Sequence, residues 1–494
     1  MNQLVDLVYA PASEWETRAR DAFAAALPER YNRVQASDFE PSSIDGREQF
    51  QFRLNAKVGE KNVPFAALIP PNQERSGPYG GMSFVLFPAD EPGKPAIICM
   101  VVGTQGISPD EMILGRPGHA RKVRAITDWL KASGLPFAWA KQDPVRTDLK
   151  IPRSVAAGLS DWHGAITTYG HVIYGLVVPP EDRSKDDLVA TALKAFADLY
   201  FSERDIRVLA RYQGEAEQIR RAWMRRLLPS TSGGEVAQLL AERKYVVLEG
   251  PPGTGKTRMA LNLLEGRYNG NGTVIQFHPG TTYENFVGGL YPESGGPMGF
   301  QFAPRAGHLM EAAQKARQSN HPYLLVIDEI NRADLSKVLG EAIALFEPRE
   351  ADRVVHLAYE FPGIGRRLSL PENLHVLGTM NSADRSIAIL DLAVRRRFAF
   401  VPVWPQLEVV EEHGGDELSG AFASLLDVFV EHAPEDAFSL LPGHAYFLGS
   451  DDQARTRLAT EVLPLLREYL AQGYVAGFAD EVRAWINVVS ADAQ

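Results

Sequence analysis

Gly250-Pro251-Pro252-Gly253-Thr254-Gly255-Lys256-Thr257 follows an apolar run at 245–248 and opens a helical pattern at 257–264. A strand, a glycine-rich turn and a helix in that order make a phosphate-binding loop. Glycines at 250, 253 and 255 let backbone N–H groups turn inward around phosphates, and the helix N-terminus adds its positive dipole end. Lys256 has the reach for β- and γ-phosphates, and the Thr257 hydroxyl suits Mg²⁺. The expected ligands are therefore Mg²⁺ and a nucleoside triphosphate, GTP or ATP.

Working outward, Tyr323-Leu324-Leu325-Val326-Ile327-Asp328-Glu329 reads as a buried parallel strand ending in two carboxylates. Such strand ends are where ligands of open α/β sheets bind. Asp328 is expected to hold the cation, and Glu329 to orient or deprotonate the attacking water. A third run, 374–378, leads into Thr379-Met380-Asn381-Ser382-Ala383-Asp384-Arg385-Ser386. Asn381 is the expected sensor, because a neutral amide can hold water and a phosphate oxygen without adding charge, and Asp384 orients its neighbours. Further on, Arg395-Arg396-Arg397 concentrates three guanidiniums before Phe398. An arginine finger acting on a neighbouring subunit's γ-phosphate is their expected use. Packing against acidic surface is the alternative for at least one of them.

Short apolar strands at 245–248, 273–277, 323–327, 374–377 and 398–401 alternate with helical patterns, which argues a parallel sheet covered on both faces. After Trp404 the strands stop, and 418–487 reads as amphipathic helices, an all-helical lid. The first two hundred residues mix β-rich runs (50–54, 83–87, 95–102) with helices at 120–132 and 187–200, an α+β domain. The expected organisation is an α+β N-terminal domain at 1–203, a basic helical linker at 204–235, an α/β nucleotide-binding core at 236–404 and a helical lid at 405–494. The linker carries Arg204, Arg207, Arg211, Arg220, Arg221, Arg225 and Arg226 and is read as a solvated or salt-bridged connector. Ser108-Pro109-Asp110-Glu111 reads as a helix capping box rather than a second phosphate loop.

With 494 residues the chain is long enough for two or three cores. A formal net charge of -11 gives no global attraction to nucleic acid, so any DNA contact must be local. The single cysteine, Cys99, excludes an intramolecular disulfide and reads as a core residue. No apolar run approaches the roughly 18 to 20 residues that span a bilayer, so a soluble, cytoplasmic protein without membrane contact is expected. His119, His163 and His171 lack companions at metal-ligand spacing, so no zinc site is expected.

Taken together these elements resemble the AAA+ class, and in detail the McrB family of modification-dependent restriction motors. The resemblance rests on Phe277-His278-Pro279-Gly280-Thr281-Thr282-Tyr283-Glu284-Asn285-Phe286-Val287-Gly288-Gly289, on Ile327-Asp328-Glu329-Ile330-Asn331-Arg332-Ala333-Asp334-Leu335-Ser336-Lys337, on 378–386, on the triple arginine, and on Gly443-His444-Ala445-Tyr446-Phe447. These segments span about 235–480. The resemblance implies a hexameric ring, GTP hydrolysis, an McrC-like nuclease or activator partner, and an N-terminal domain that recognises DNA, typically through an aromatic pocket for a flipped base. Onto this chain it maps Lys256, Thr257, Asp328, Glu329, Asn381 and Asp384, with Arg396 or Arg397 as the finger. One departure is Ser382, where the family usually has threonine.

Related MoxR-type chaperone ATPases have a lid sensor arginine where this chain has His444 and Tyr446, so His444 is placed at the nucleotide. An ATP-dependent remodelling chaperone is the alternative reading. Two inserted hairpins are expected at 289–306 and 354–370; in such rings they face the axis, and Phe300, Phe302, Arg305, Arg366 and Arg367 would touch a partner or strand unless the hairpins only pack. In the N-terminal domain, which resembles such recognition domains through the run Asn55-Ala56-Lys57-Val58-Gly59 and later strands, Trp129, Trp139, Trp162 and Tyr169 are the aromatics available for a base.

Overall fold

The computed structural model describes residues 1–39, 50–57, 62–74, 76–295, 299–347, 353–384 and 392–492. Val58 and Gly59 of the N-terminal run, and Arg385, Ser386, Leu390 and Asp391 of the sensor and arginine segments, lie outside these residues. The chain forms two units, one of Met1–Leu227 with Val430–Pro434, the other of Leu228–Phe429 with Glu435–Gln494.

Unit 1 is built on strands β1 (Gln51–Asn55), β2 (Phe65–Ile69), β3 (Met82–Phe87), β4 (Ile97–Val102), β5 (Phe137–Ala140) and β6 (Ile173–Val178). They form one antiparallel sheet in the order β1-β2-β3-β4-β6-β5. The β3 and β4 sequences MSFVLF and IICMVV are buried at every position, as central strands covered on both faces should be. On one face Phe23 of the helix Trp15–Arg30 packs on Phe52 and Phe84. Cys99 is fully buried, and burial pushes its thiol well up, consistent with the core role expected of it.

The capping box at Ser108 does not form. Asp110 is the residue before the helix Glu111–Leu114, and no side chain caps that helix. Its carboxylate instead accepts from the Met82 N–H (2.6 Å) and from Arg204 (2.7 Å). Arg204 is 6% exposed and sits 4.3 Å over the Tyr200 ring, so it is an internal cation that needs a carboxylate, not a solvated connector residue. The helix Gln213–Leu227 is likewise integral to unit 1. Its Glu215 and Asp198 of the helix Asp186–Ser202 both bind Arg30, at 2.6 Å each, so three helices share one buried guanidinium. His119 is fully buried between Glu203 (3.2 Å) and the Tyr174 hydroxyl (2.9 Å). Burial alone would raise the Glu203 carboxyl, but His119 and Lys122 hold it well below the usual range. Trp162 is a core residue donating to Pro95 O (3.0 Å), whereas Trp129 and Trp139 are half-buried.

Unit 2 contains β7 (Tyr245–Gly250), β8 (Gly272–Gln276), the hairpin β9 (Gly288–Ser294) and β10 (Phe300–Ala306), β11 (Tyr323–Asp328), the hairpin β12 (Val355–Phe361) and β13 (Gly365–Leu368), β14 (Leu374–Asn381) and β15 (Ala399–Pro402). Five of them form an all-parallel sheet, β15-β7-β14-β11-β8. Apolar cores lie on both faces, one around Phe277, Leu325 and Phe346, the other around Leu240, Val246 and Leu263. Both hairpins occur where the sequence places them. From Leu407 onward the described residues form helices and no strand, including Leu463–Ala471 and Ala479–Asp492.

Candidate nucleotide-binding site

The site is assembled at the carboxyl ends of β7, β11 and β14, adjacent in the sheet because β14 pairs with both of the others. Beyond β7 the loop 250–257 turns back with Gly253 and Gly255 at φ +77° and +81°, values that favour glycine, and delivers the chain into the helix Lys256–Gly266. Thr254 is buried and donates to Pro251 O (3.0 Å), bracing the turn. Lys256 lies within the loop, donating to Pro251 O (2.6 Å) and Gly250 O (2.9 Å). Burial lowers its pKa to about 8, against the opposing pull of Glu329 and Asp328.

Asp328 closes β11. Its Oδ1 accepts from both Thr257 (2.8 Å) and Thr379 (2.6 Å), while the Glu329 N–H donates to Thr379 Oγ1 (3.1 Å). Thr379 therefore pins two strand ends together. Glu329 follows at φ +53°, an uncommon conformation for a side-chain-bearing residue and one that clusters at functional sites. Its Oε2 is buried, has no hydrogen-bond partner, and lies 3.5 Å from Arg332 Nε. Asn331 donates to Asn381 O (3.2 Å), and Asn381 Oδ1 accepts from the Ala383 N–H (3.0 Å). The Ser382 N–H donates to Gly250 O (3.0 Å), joining the end of β14 to the phosphate loop.

Three buried polar atoms here, Glu329 Oε2, Asn331 Oδ1 and Ser382 Oγ, have no hydrogen-bond partner. Such atoms are costly in a finished interior and suit a place where phosphate oxygens and water complete the bonding. Thr257 and Asp328 bring two hard oxygen donors together, the donor set that Mg²⁺ takes alongside nucleotide phosphates. Among the described residues no group of three His, Cys, Asp or Glu side chains could hold a metal by itself.

A turn from the C-terminal helical segment lies on the loop. Gly443 N donates to Pro252 O and Ala445 N to Gly253 O, both at 2.9 Å. The approach is close enough that a Cβ on Gly443 would stand 2.0 Å from the Gly253 carbonyl carbon, and one on Gly253 would stand 2.7 Å from the Tyr446 ring. His444 Nδ1 accepts from the Gln406 N–H (3.3 Å). Burial and then the Lys256 charge push the imidazole down to about 4, so it is neutral at pH 7.

The arginines stand apart from this cluster. Arg395 and Arg396 are exposed, Arg395 lying 5.0 Å over the Phe400 ring. Arg397 is 6% exposed, donates to Ala393 O (2.7 Å), and has its pKa lowered by burial. Of the two finger candidates only Arg396 is presented to solvent. Asp384 is half-buried just beyond the Asn381 turn. Gly250, Pro251, Pro252, Gly253, Thr254, Gly255, Lys256, Thr257, Asp328, Glu329, Asn381 and His444 thus converge, while Arg396 and Arg397 do not join them.

Sequence reasoning gave no role to Thr379 and Asn331, and named Tyr446 in the lid without assigning it a contact. Thr379 was legible, since strand periodicity puts it on the same face as Asn381. Asn331 and Tyr446 lay within segments already singled out, but only the fold shows what they touch.

A family model described as an AAA domain of the dynein-related subfamily matches residues 245–398. The chain is similar to the type IV methyl-directed restriction enzyme EcoKMcrB subunit of Escherichia coli (strain K12), with 37% identity over 185 residues, 36% of this chain and 39% of that protein. It is also similar to the type II restriction enzyme BsuMI component YdiS of Bacillus subtilis (strain 168), with 29% identity over 195 residues, 31% of this chain and 55% of that protein. The chain therefore spans between about two fifths and just over half of these relatives' lengths.

Proposed function

Because its nucleotide-binding region is an AAA+ domain that belongs to the McrB family, we propose that this chain is a Mg²⁺-dependent GTPase or ATPase serving as the ring-forming motor and specificity subunit of a restriction system. The observation that carries the reading is the convergence of Thr257, Asp328 and Thr379 below the phosphate loop, with the Glu329 carboxylate, whose buried Oε2 accepts no hydrogen bond, beside them.

In this reading the loop amides and Lys256 bind the phosphates, and Thr257 with Asp328 holds the cation that neutralises them. Glu329, held in place by its left-handed backbone and the Thr379 hydrogen bond, takes a proton from the attacking water. Asn381 offers its amide to that water, because its oxygen is already engaged by Ala383. Asp384 orients these neighbours. Neutral His444 and Tyr446 close the loop from the helical lid. Arg396, exposed to solvent, supplies the finger to a neighbour in a hexameric ring, which makes hydrolysis depend on assembly.

Both relatives are named as restriction-enzyme components, which supports an McrC-like nuclease or activator as partner and DNA as what unit 1 recognises. Neither name supports the chaperone alternative. The test is hydrolysis of GTP and of ATP, side by side, with and without the product of the adjacent gene. Weak turnover that rises on adding that product is expected; clear ATP turnover indifferent to the added protein, together with no DNA binding, would overturn the restriction reading.

A further inference from the structure

Within unit 2 the phosphate loop is held from outside by its carbonyls. Pro252 O and Gly253 O accept from the N–H groups of Gly443 and Ala445, both at 2.9 Å. Both peptides are trans, so their N–H groups, which belong to Gly253 and Thr254, point away from the turn that holds them. Gly253, at φ +77°, has no Cβ to restrain the peptides on either side of it. Their direction therefore depends on the two hydrogen bonds from the turn and on the Tyr446 ring, which stands 2.7 Å from where a Gly253 Cβ would be.

The turn is in its turn clamped by one side chain. His444–Phe447 is a single short helical turn, and Arg457, the last residue of the helix Asp451–Arg457, grips both of its ends. Arg457 Nη1 donates to Leu448 O (2.6 Å), and Nη2 donates to Ala445 O (3.1 Å) and to Glu461 Oε2 (3.0 Å). A guanidinium suits this place because its rigid fork reaches two carbonyls while a carboxylate balances its charge. Glu461 lies on a π-helical turn, Leu458–Val462, that directly follows Arg457; such turns are rare and are concentrated at functional sites. Ala445 is the link, its N–H on Gly253 and its carbonyl on Arg457.

We propose that Arg457 is a positioning residue for the nucleotide: through Ala445 it fixes the turn 443–448, and the turn aims the Gly253 and Thr254 amides at the phosphates. This deepens the reading of 250–257 as a nucleotide site and rests on it. Arg457 acts here through the loop and not on the reacting phosphate. Its loss weakens the ground state and the transition state alike, which raises KM and spares kcat. An arginine that touched the γ-phosphate would lower kcat instead.

The test uses the full chain as wild type, Arg457→Ala and Arg457→Lys. Affinity for non-hydrolysable GTP and ATP analogues is measured by calorimetry, KM and kcat by steady-state hydrolysis, and folding by thermal unfolding without nucleotide. Arg457→Ala should raise Kd and KM by about tenfold or more, the loss of one hydrogen bond to a charged group. Its kcat should stay within about threefold of wild type. Arg457→Lys keeps the charge without the fork and should show the same split to a smaller degree, so it carries the test if the alanine variant does not fold. Unchanged Kd and KM in the folded variants overturn the proposal while the nucleotide site stands. A fall in kcat at unchanged KM overturns it in favour of direct phosphate contact. A loss of kcat and affinity together with a lower Tm assigns Arg457 to stability alone and also overturns it. No nucleotide binding by the wild type overturns the phosphate-loop reading and the proposal with it.

Discussion

The buried charges of unit 1 and the strand-end groups of unit 2 are partnered differently. In unit 1 buried charges are paired: Arg30 with Asp198 and Glu215, Arg204 with Asp110, and Lys122 with Glu203, against which His119 also packs. At the strand ends of unit 2, Glu329, Asn331 and Ser382 each keep a buried atom without a hydrogen-bond partner. A closed network holds a fold, whereas unanswered groups mark the place where something else completes the bonding. Unit 1 also keeps such atoms, among them Arg53 Nε, and Arg53 lines a cavity.

The comparison breaks most visibly at Glu329. Glu329→Gln should lower nucleoside triphosphate turnover by about 10²-fold or more while nucleotide binding persists; turnover within twofold of wild type would remove Glu329 from its proposed role. Next comes the closed network. Asp110→Ala leaves Arg204 buried without its carboxylate and should cost about 3 to 5 kcal/mol. Denaturant unfolding should show that loss with nucleotide affinity retained, and a loss below about 1 kcal/mol would mean the pair is not buried as described.

Gly443→Ala tests the turn seated on the phosphate loop. The added methyl meets the backbone at Gly253, so a penalty of about 1 to 3 kcal/mol is expected, read as weaker binding of a non-hydrolysable nucleotide analogue. Unchanged affinity would mean that the turn moves away freely. The smallest effect is that of pH on Lys256. Its pKa in the free protein is lowered to about 8, and phosphate contact favours the protonated form, so above pH 8 binding must take up a proton. Analogue affinity should be flat just below pH 8 and fall with a slope approaching tenfold per pH unit above it. His444, pushed down to about 4, should add no step between pH 6 and 8.

How much of this was readable beforehand differs between the units for a physical reason. The loop 250–257, the Asp328–Glu329 pair and Asn381 are legible because short-range rules set them: glycines for positive φ, a strand that ends in acids, an amide at the carboxyl end of a strand. The cap assigned to Ser108 failed because a local rule lost to a tertiary demand, the need of buried Arg204 for Asp110. For the basic stretch the salt-bridged alternative is the one seen, with Arg204 and the helix bearing Glu215 held by ion pairs to residues far away in the chain. Arg397 belongs with them: three adjacent arginines look alike in sequence, but Val394 and Phe398 enter the core and take Arg397 inward, leaving Arg395 and Arg396 exposed.

The sequence by itself determined the α/β nucleotide-binding core, its strand–loop–helix start, its acidic strand end and the helices that follow, because each is written in contiguous residues whose periodicity and turn chemistry act locally. Only the tertiary structure decided which distant groups meet: Thr379 on Asp328, Gly443 on Gly253, and Arg53 on the carbonyl of Gly77. Those meetings depend on sheet order and strand register, which join residues that no local pattern connects.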